Sequence, residues 1–219
     1  TAGTTGGYDG QTAGKVLTNL DNDSAGITVT AVDDSTDEDG ATGAVSVVLD
    51  NQPTADVTVI VNSDNTDEGN VDPAENSLTF TTANWNTAQT VTVTGQEDAV
   101  SDGDVTYTVT ATAGSTGGYS GETGAATLTN YDNDDPTIQV YPVDQNTDED
   151  GDSGTFWVKL GSQPTGEVTV TAASGDAGEG SVSDPAGGTL TFTTANYATW
   201  QTVTVDGVND DIDDGDVSY

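Results

Sequence analysis

Acidic side chains in short clusters are the residues of this chain best suited to chemistry. The 219 residues include 38 Asp and Glu, two Lys and no Arg, His or Cys, for a net charge of −36. Between residues 24 and 134, only Asp50, Asp56 and Glu122 lie outside four acidic clusters, which span residues 33–39, 64–75, 97–104 and 132–134. Crowded carboxylates repel one another, so they must protonate, move apart or share a cation. Oxygen ligands without nitrogen or sulfur suit Ca²⁺ better than zinc, and irregular shells suit it better than Mg²⁺.

The clusters return about 111 residues later in the same order, which indicates an internal repeat. Residues 1–23 align with 112–134, and residues 24–107 align with 135–219. We therefore expect three parts. Residues 1–23 would be the C-terminal part of one repeat, including its last strand. Residues 24–134 would form a complete sandwich, and 135–219 the next sandwich without its last strand.

Alternation of apolar and polar residues predicts an all-β fold for each repeat. In the complete repeat it predicts seven strands, at residues 27–32, 43–50, 57–62, 77–81, 89–94, 104–111 and 125–131. Seven strands at this spacing favour tandem seven-stranded immunoglobulin-like sandwiches. Successive connections of an antiparallel sandwich alternate between its two ends, which places all four acidic clusters at one end, here called the acidic pole. The opposite loops are equally rich in turn residues yet nearly free of acid, so turn chemistry does not explain the asymmetry.

Acids present in both copies of the repeat are the best candidate ligands. Glu38 matches Glu149, Glu68 matches Glu179, and Asp132 and Asp134 match Asp21 and Asp23. The acids of the third cluster, Asp98 and Asp102, match Asp210 and Asp214. In the same cluster Glu97 becomes Asn209, and Ala99 becomes Asp211, so the two sites are expected to differ in affinity or ion count.

Three stretches of the sequence resemble the Calx-beta domain. They are Glu-Asp-Gly at 38–40, the run at 96–104, and Asp-Asn-Asp at 132–134. Members of that family are seven-stranded calcium-binding sandwiches found in sodium/calcium exchangers, integrin β4 and large bacterial surface proteins. The resemblance implies that the calcium ligands are Glu38, Glu68, Glu97, Asp98, Asp102, Asp132 and Asp134, with the Val100 carbonyl as a further candidate. The loop at 64–70 departs from the family's usual sequence, which weakens the position of Glu68.

Two other calcium motifs offer alternative readings of the same residues. Asn146, Asp148 and Asp150 imitate the start of an EF-hand loop, but Trp157 occupies the place of its closing Glu. Residues 132–136 resemble a cadherin linker without the other acidic motifs of that family. All three readings place the cation where one sandwich meets the next.

We therefore expect a calcium-binding structural repeat of a long extracellular protein. The ion would stiffen the junctions between neighbouring repeats and produce a rod or filament. Catalysis is not expected, because the chain has no His or Cys and its Ser residues have no partner base. The acidity disfavours nucleic acid, and no apolar run is long enough for membrane insertion.

Two further functions remain open from the sequence. Three aromatic residues alternate out of phase with the buried residues of their strands: Tyr141, Trp157 and Trp200. These three side chains would form an exposed aromatic patch for a glycan, a surface ligand or self-association. Trp85 and Tyr197, at one shared position, are expected to cap the cores instead. Residues 1–23 supply an isolated last strand, so one chain could also complete a neighbouring copy by strand donation into a filament.

Overall fold

The computed structural model describes residues 6–7, 11–209 and 215–219, and within these ranges the fold is all-β. Its regular elements are strands, apart from one short 3₁₀ turn at Ala186–Gly188. The strands form sheets that pack face to face, so the predicted all-β sandwich architecture is confirmed. Asp210, Asp211 and Asp214 lie outside the described residues.

The first sandwich comprises nine strands in two sheets. The strands are β1 (Ile27–Asp33), β2 (Ser35–Asp37), β3 (Thr42–Leu49), β4 (Val57–Ser63), β5 (Gly69–Val71), β6 (Ser77–Phe80), β7 (Gln89–Gly95), β8 (Val105–Ala113) and β9 (Thr123–Tyr131). One sheet has the order β1-β3-β7-β5 and the other has the order β2-β9-β8-β4-β6. All pairings are antiparallel except that of β2 with β9, which is parallel.

Alternating side chains fill the space between these two sheets, as the sequence predicts. Val45, Val47 and Leu49 of β3 face Val57, Val59 and Val61 of β4 across one buried core. Trp85 packs against the edge of this core, in line with its expected capping role. Each buried methylene group contributes about 0.8 kcal/mol to folding. This core is therefore the main source of the stability that holds the loops at its ends.

The second sandwich has six strands among the described residues. They are β10 (Ile138–Asp144), β11 (Ser153–Leu160), β12 (Val168–Thr171), β13 (Gly180–Asp184), β14 (Thr189–Phe192) and β15 (Gln201–Gly207). One sheet has the order β10-β11-β15-β13, and β12 pairs with β14 in the other. The smaller core includes Val158, Leu190, Phe192 and Val203, and Tyr197 packs against it at the position expected from Trp85.

The second sandwich repeats the local geometry of the first. Ile27 pairs with Leu49 in β1 and β3, and Ile138 pairs with Leu160 in β10 and β11. Both strand pairs shift register at the same place, between Ala31 and Asp33 in one and between Pro142 and Asp144 in the other.

The structure differs from the predicted strand pattern at three places. β2 and β5 are additional strands of three residues each, too short to produce a periodic signal. Residues 1–23 were expected to include a last strand, and the described ones among them, 6–7 and 11–23, form no strand. Residues 215–219 are likewise not in a strand. No described helix is long and apolar enough to cross a membrane.

Candidate metal centre

Glu38 is held at the acidic pole by the turn that follows β2. The Glu38 N–H donates to the carbonyl of Tyr131 at 3.2 Å, which extends the pairing of β2 with β9 by one residue. Gly40, at φ +89°, reverses the chain, and its N–H donates to the Asp37 carbonyl. The Glu38 side chain therefore points inward and is only 4% exposed.

Glu68 is held in the turn that precedes β5. Its carbonyl accepts from the N–H of Gln96, and its Oε2 accepts from Asn130 Nδ2 at 3.2 Å. The ring of Tyr107 occupies the space where a Cβ on Gly69 would lie, so the backbone here must pass directly over that ring. Glu68 is 8% exposed and is therefore buried, as Glu38 is.

Asp98 and Asp102 lie on the loop between β7 and β8, which is stabilised by its own hydrogen bonds. Asp98 Oδ1 accepts from the Val100 N–H at 2.6 Å, and the Val100 carbonyl accepts from the Asp102 N–H at 2.9 Å. That carbonyl still has a free lone pair, so the structure leaves it available as a ligand.

Asp132 has a different role, because it ties two loops of the pole together. Its Oδ2 accepts from the Gly103 N–H and its Oδ1 from the Asp134 N–H, both at 2.7 Å. Asp132 belongs to neither of the carboxylate triads described below. Its hydrogen bonds to two loops make it a positioning residue.

Asp134 is the residue of this pole whose side-chain hydrogen bonding is incomplete. Its Oδ2 is buried and has no hydrogen-bond partner among the described residues. A buried polar oxygen without a hydrogen-bond partner costs roughly 1–3 kcal/mol, and a charged one costs more. The charge of such an oxygen is therefore either neutralised or destabilising.

Two triads of carboxylates meet at this point and share one residue. Glu38, Asp98 and Asp134 each offer an oxygen, and these oxygens lie within 4.8 Å of one another. Glu68, Asp98 and Asp102 form a second such group within the same limit. Asp98 belongs to both, so the pole holds two adjacent candidate positions bridged by one carboxylate.

Burial and mutual repulsion shift the acidity of the pole. Desolvation raises the pKa of Glu38 from 4.5 to about 7; the Asn133 N–H bond opposes this, and the charges of Asp132, Asp98 and Asp134 add to it. Desolvation also raises the pKa of Glu68, Asp102 and Asp134, and neighbouring carboxylates contribute. For Asp132, desolvation is outweighed by the hydrogen bonds from Asp134 and Gly103, and its pKa is lowered.

The donor set suits calcium on chemical grounds. Every side chain in the two triads is a carboxylate, and the Val100 carbonyl is another hard oxygen. A divalent cation would supply the positive charge that balances the carboxylates of Asp134, Glu38 and Glu68.

The other predicted ligands are not brought into the two triads. Glu97 is exposed and lies near Asn133, whose Nδ2 is 3.4 Å from Glu97 Oε2. Asp21 and Asp23 lie in the exposed segment 11–24, away from any described cluster. Glu149 and Glu179 both line one groove of the second sandwich, but among the described residues they form no triad.

The EF-hand alternative is not supported by the position of its residues. Asp148 and Asp150 lie in the turn between β10 and β11, whereas Trp157, in the place of the closing Glu, pairs with Tyr141 in the middle of a sheet. The two ends of the motif therefore do not form one loop.

The sequence did not identify the amide and hydroxyl groups that organise the pole. Asn130, 1% exposed, donates to Glu68 and to the Gln96 carbonyl and accepts from the Thr36 hydroxyl. The Asn133 N–H donates to Glu38 Oε2 at 2.9 Å. The repeated Leu-Thr-Asn at 17–19 and 128–130 was the available signal, since it places a polar residue at a buried strand position.

The acidic pole also contacts the second sandwich directly. The Gln163 N–H donates to the Ala99 carbonyl at 2.5 Å, and Val100 and Ser101 line a cleft with Pro136, Ser162 and Pro164. Ala99 follows Asp98, the residue shared by both triads. The same loop therefore carries candidate ligands on one side and the junction on the other.

The three aromatic residues expected to form a patch do lie together: Tyr141 is on β10, Trp157 is on β11, and Trp200 directly precedes β15. Tyr141 and Trp157 stack with ring centroids 5.9 Å apart, and Trp200 lies 6.4 Å from Tyr141. Lys159 Nζ lies 5.0 Å from the centroid of the Trp200 ring. All three rings are at least 37% exposed.

Comparison with known proteins assigns no family to this chain. No protein family and no curated protein matches its sequence. Among solved structures, it is similar to the YadV chaperone, at 10% identity and a TM-score of 0.36, over 85% of this chain and 88% of that one. It is also similar to a chaperone–tip adhesin pre-assembly complex (CsuC–CsuE) of Csu pili from Acinetobacter baumannii, at 9% identity and a TM-score of 0.35, over 86% of this chain and 91% of that one. At such TM-scores these likenesses carry no argument about function.

Proposed function

We propose that this chain is a calcium-binding structural module of an extracellular rod or filament, built from Calx-beta-like sandwiches in tandem. The sandwich core would be the seven predicted strands, with β2 and β5 as additions at the edges. Calcium at the acidic pole would fix each junction between neighbouring repeats. No catalytic role is proposed.

The observation that carries this proposal is the shared position of Asp98. One carboxylate between two triads is suited to bridge two adjacent cations. The buried, unpartnered Asp134 Oδ2 and the raised pKa of Glu38 favour a bound positive charge over a solvated acidic tip.

Coupling to the junction follows from the loop that bears Asp98. Ala99 and Val100 are the next two residues. The Ala99 carbonyl accepts a hydrogen bond from the Gln163 N–H, and Val100 lines a cleft together with Pro164. Asp134 stands two residues before Pro136, which lines the same cleft. A cation held by Asp98 and Asp134 would therefore order both chain segments that connect the sandwiches.

Extracellular calcium is present at about millimolar levels, a range in which even weak modular sites are occupied. We therefore propose an extracellular location, where divalent cations would balance the large negative charge of the chain.

Calorimetric titration with calcium tests the proposal. The wild-type chain should bind calcium, and Asp98→Asn should lower the calcium affinity of both positions. The loss should exceed the roughly 10- to 100-fold that follows removal of a residue hydrogen-bonded to a metal ligand, because Asp98 would itself be a ligand. Asp56→Asn is the matched control, because Asp56 is an exposed acid in the loop between β3 and β4, at the end opposite the acidic pole. An Asp98→Asn chain that binds calcium like the wild type would refute the bridged centre.

A second candidate function is favoured by the aromatic patch. The stacked Tyr141 and Trp157, with Trp200 tilted beside them, form an exposed aromatic surface of the kind that packs against sugar rings. The double variant Trp157→Ala, Trp200→Ala should then lose binding on a glycan array, with Trp85→Phe as a control away from the patch. Equal glycan binding by the double variant and the wild type would remove this candidate.

A further inference from the structure

The outer face of the sheet β10-β11-β15-β13 carries a cation beside the aromatic patch. The patch consists of Tyr141, Trp157 and Trp200, and Lys159 Nζ lies 5.0 Å from the centroid of the Trp200 ring. Lys159 is two residues after Trp157 on β11, so both side chains leave the same face of the sheet. The chain contains one other Lys and no Arg, so a cation at this place is a specific feature of the surface.

Strand pairing arranges these side chains in two adjacent rows. Tyr141 pairs with Trp157 in the first row, and Gln139 pairs with Lys159 in the second. Trp200 lies on the other side of β11 from β10, directly before β15. Neighbouring rows on one face of a strand are about 7 Å apart. A ligand that rests on the rings of the first row therefore reaches the ammonium and the amide of the second.

The first sandwich shows that the fold does not require these side chains. By the repeat alignment, the positions that hold the three rings, Gln139 and Lys159 have smaller, uncharged residues there: Thr28, Thr30, Ser46, Val48 and Ala88. The first sandwich forms the same antiparallel pair from Thr and Ser that Tyr141 and Trp157 form in the second. Because the sheet is built without them, three exposed rings and a cation are better explained by binding than by folding.

The Lys159 ammonium is available to a ligand. It has three N–H donors, and among the described residues it forms no hydrogen bond and no ion pair. Attraction to the face of the Trp200 ring holds the charge beside the patch. A carboxylate that approached from solvent would accept a charge-assisted hydrogen bond from this ammonium.

The acids of the three strands that surround the patch lie away from Lys159. β10, β11 and β15 contain two of them, Asp144 and Asp206, each within the last two residues of its strand. Asp144 is five residues from Gln139, or about 16 Å along β10, and Asp206 is six residues from Trp200, or about 20 Å. The Debye length in physiological salt is about 8 Å, so these two acids repel an anion at Lys159 only weakly.

From these observations we infer that the aromatic patch binds an acidic polysaccharide whose sugar units carry a carboxylate. A uronic acid unit combines an apolar C–H face and a carboxylate in one rigid ring, which matches an aromatic surface beside one ammonium. The C–H face packs on Tyr141 and Trp157, the carboxylate accepts from Lys159, and the Gln139 amide bonds to a sugar hydroxyl. This inference rests on the glycan-binding function proposed for the patch and adds the charge of the ligand to it.

Calorimetric titration with two matched ligands tests the inference. The ligands are oligogalacturonate and its methyl ester, which have the same sugar units and differ in the charge of the carboxyl group. The wild-type chain should bind the acidic form at least about tenfold more tightly, the effect of one charge-assisted hydrogen bond. The titrations are done in chelator and physiological salt, because calcium would otherwise bridge the ligand to the acidic pole.

The variant Lys159→Gln should lose this preference and bind the methyl ester as the wild type does. Lys159 leaves the outer face of its sheet, whereas Val158 and Leu160 face the core, so the substitution does not threaten folding. Lys15→Gln is the matched control, because it removes the same charge at an exposed position outside β10, β11 and β15. The control chain should keep the preference of the wild type.

Equal binding of the two ligands by the wild-type chain would overturn the inference and leave the glycan-binding function in place. A Lys159→Gln chain that kept the preference, or a Lys15→Gln chain that lost it, would also overturn it, because the preference would then not come from the patch. If the wild type bound neither ligand, the inference would fail, and the glycan array with the double Trp variant would decide separately on the function of the patch.

Discussion

The Glu38 side chain is buried, accepts a hydrogen bond from the Asn133 N–H, and lies near three other carboxylates. Its pKa of about 7, against 4.5 in the unfolded chain, means that the folded ion-free protein binds a proton there between these two pH values. The sequence located Glu38 as an acid present in both repeats, but it could not show the burial. That burial depends on the pairing of β2 with β9, which has no periodic signal.

Stability of the ion-free protein should therefore fall as pH rises from about 4.5 to about 7. The folded state holds more protons than the unfolded state in this window, so raising the pH favours unfolding. The expected loss from Glu38 is of the order of 3 kcal/mol, because its pKa differs by about 2.5 units between the two states. Urea denaturation across this range in chelator checks the direction and size of the change.

The variant Glu38→Gln separates this charge from the rest of the pole. At pH 8 in chelator it should be more stable than the wild type, because the buried charge is gone, whereas calcium should stabilise it less. Asp56→Asn should leave both quantities unchanged. A Glu38→Gln chain that is less stable than the wild type in chelator would contradict the conclusion that the buried charge of Glu38 destabilises the ion-free protein.

β9 is the element that joins the fold to the candidate site. Leu128 fills the core, whereas Asn130, two residues later on the same face, organises the acidic pole. Alternation predicted a strand at residues 125–131, and the structure has β9 at Thr123–Tyr131. It did not predict that a buried amide would replace an apolar residue there, because its partners come from β2, the turn before β5 and the end of β7.

Replacing Asn130 with Ala should destabilise the first sandwich by about 1–3 kcal/mol, because Glu68 and the Gln96 carbonyl lose a buried donor. It should also weaken calcium binding, since Glu68 is no longer oriented. Thermal unfolding in chelator measures the first effect, and calorimetric titration measures the second.

Thr127→Ala on the same strand is the control, because Thr127 is exposed and should change stability by no more than about 0.5 kcal/mol. If Asn130→Ala and Thr127→Ala behaved alike in both measurements, Asn130 would have no organising role.

The residues that the structure describes include two sandwiches, which meet at the acidic pole of the first. The sequence established the repeat and the position of the acids, since both are visible as one-dimensional patterns. It did not reveal the contact of Ala99 with Gln163, which depends on how two folded units stack.

Calcium should protect the junction from proteolysis. Cleavage near residues 99–101 and 132–137 should be slower in calcium than in chelator, because the ion orders both connecting segments. Limited proteolysis with mass spectrometry locates the cuts. The Asp98→Asn chain should show no such protection, and equal protection of that chain and the wild type would separate the junction from the metal centre.

A crystal structure of the wild-type chain grown in calcium, with anomalous diffraction data, tests the central claim most directly. We expect ordered calcium among the carboxylates of Glu38, Asp98 and Asp134, with the Asp134 Oδ2 as a ligand. Well-resolved density without anomalous signal at that pole, with the carboxylates turned apart into solvent, would contradict it.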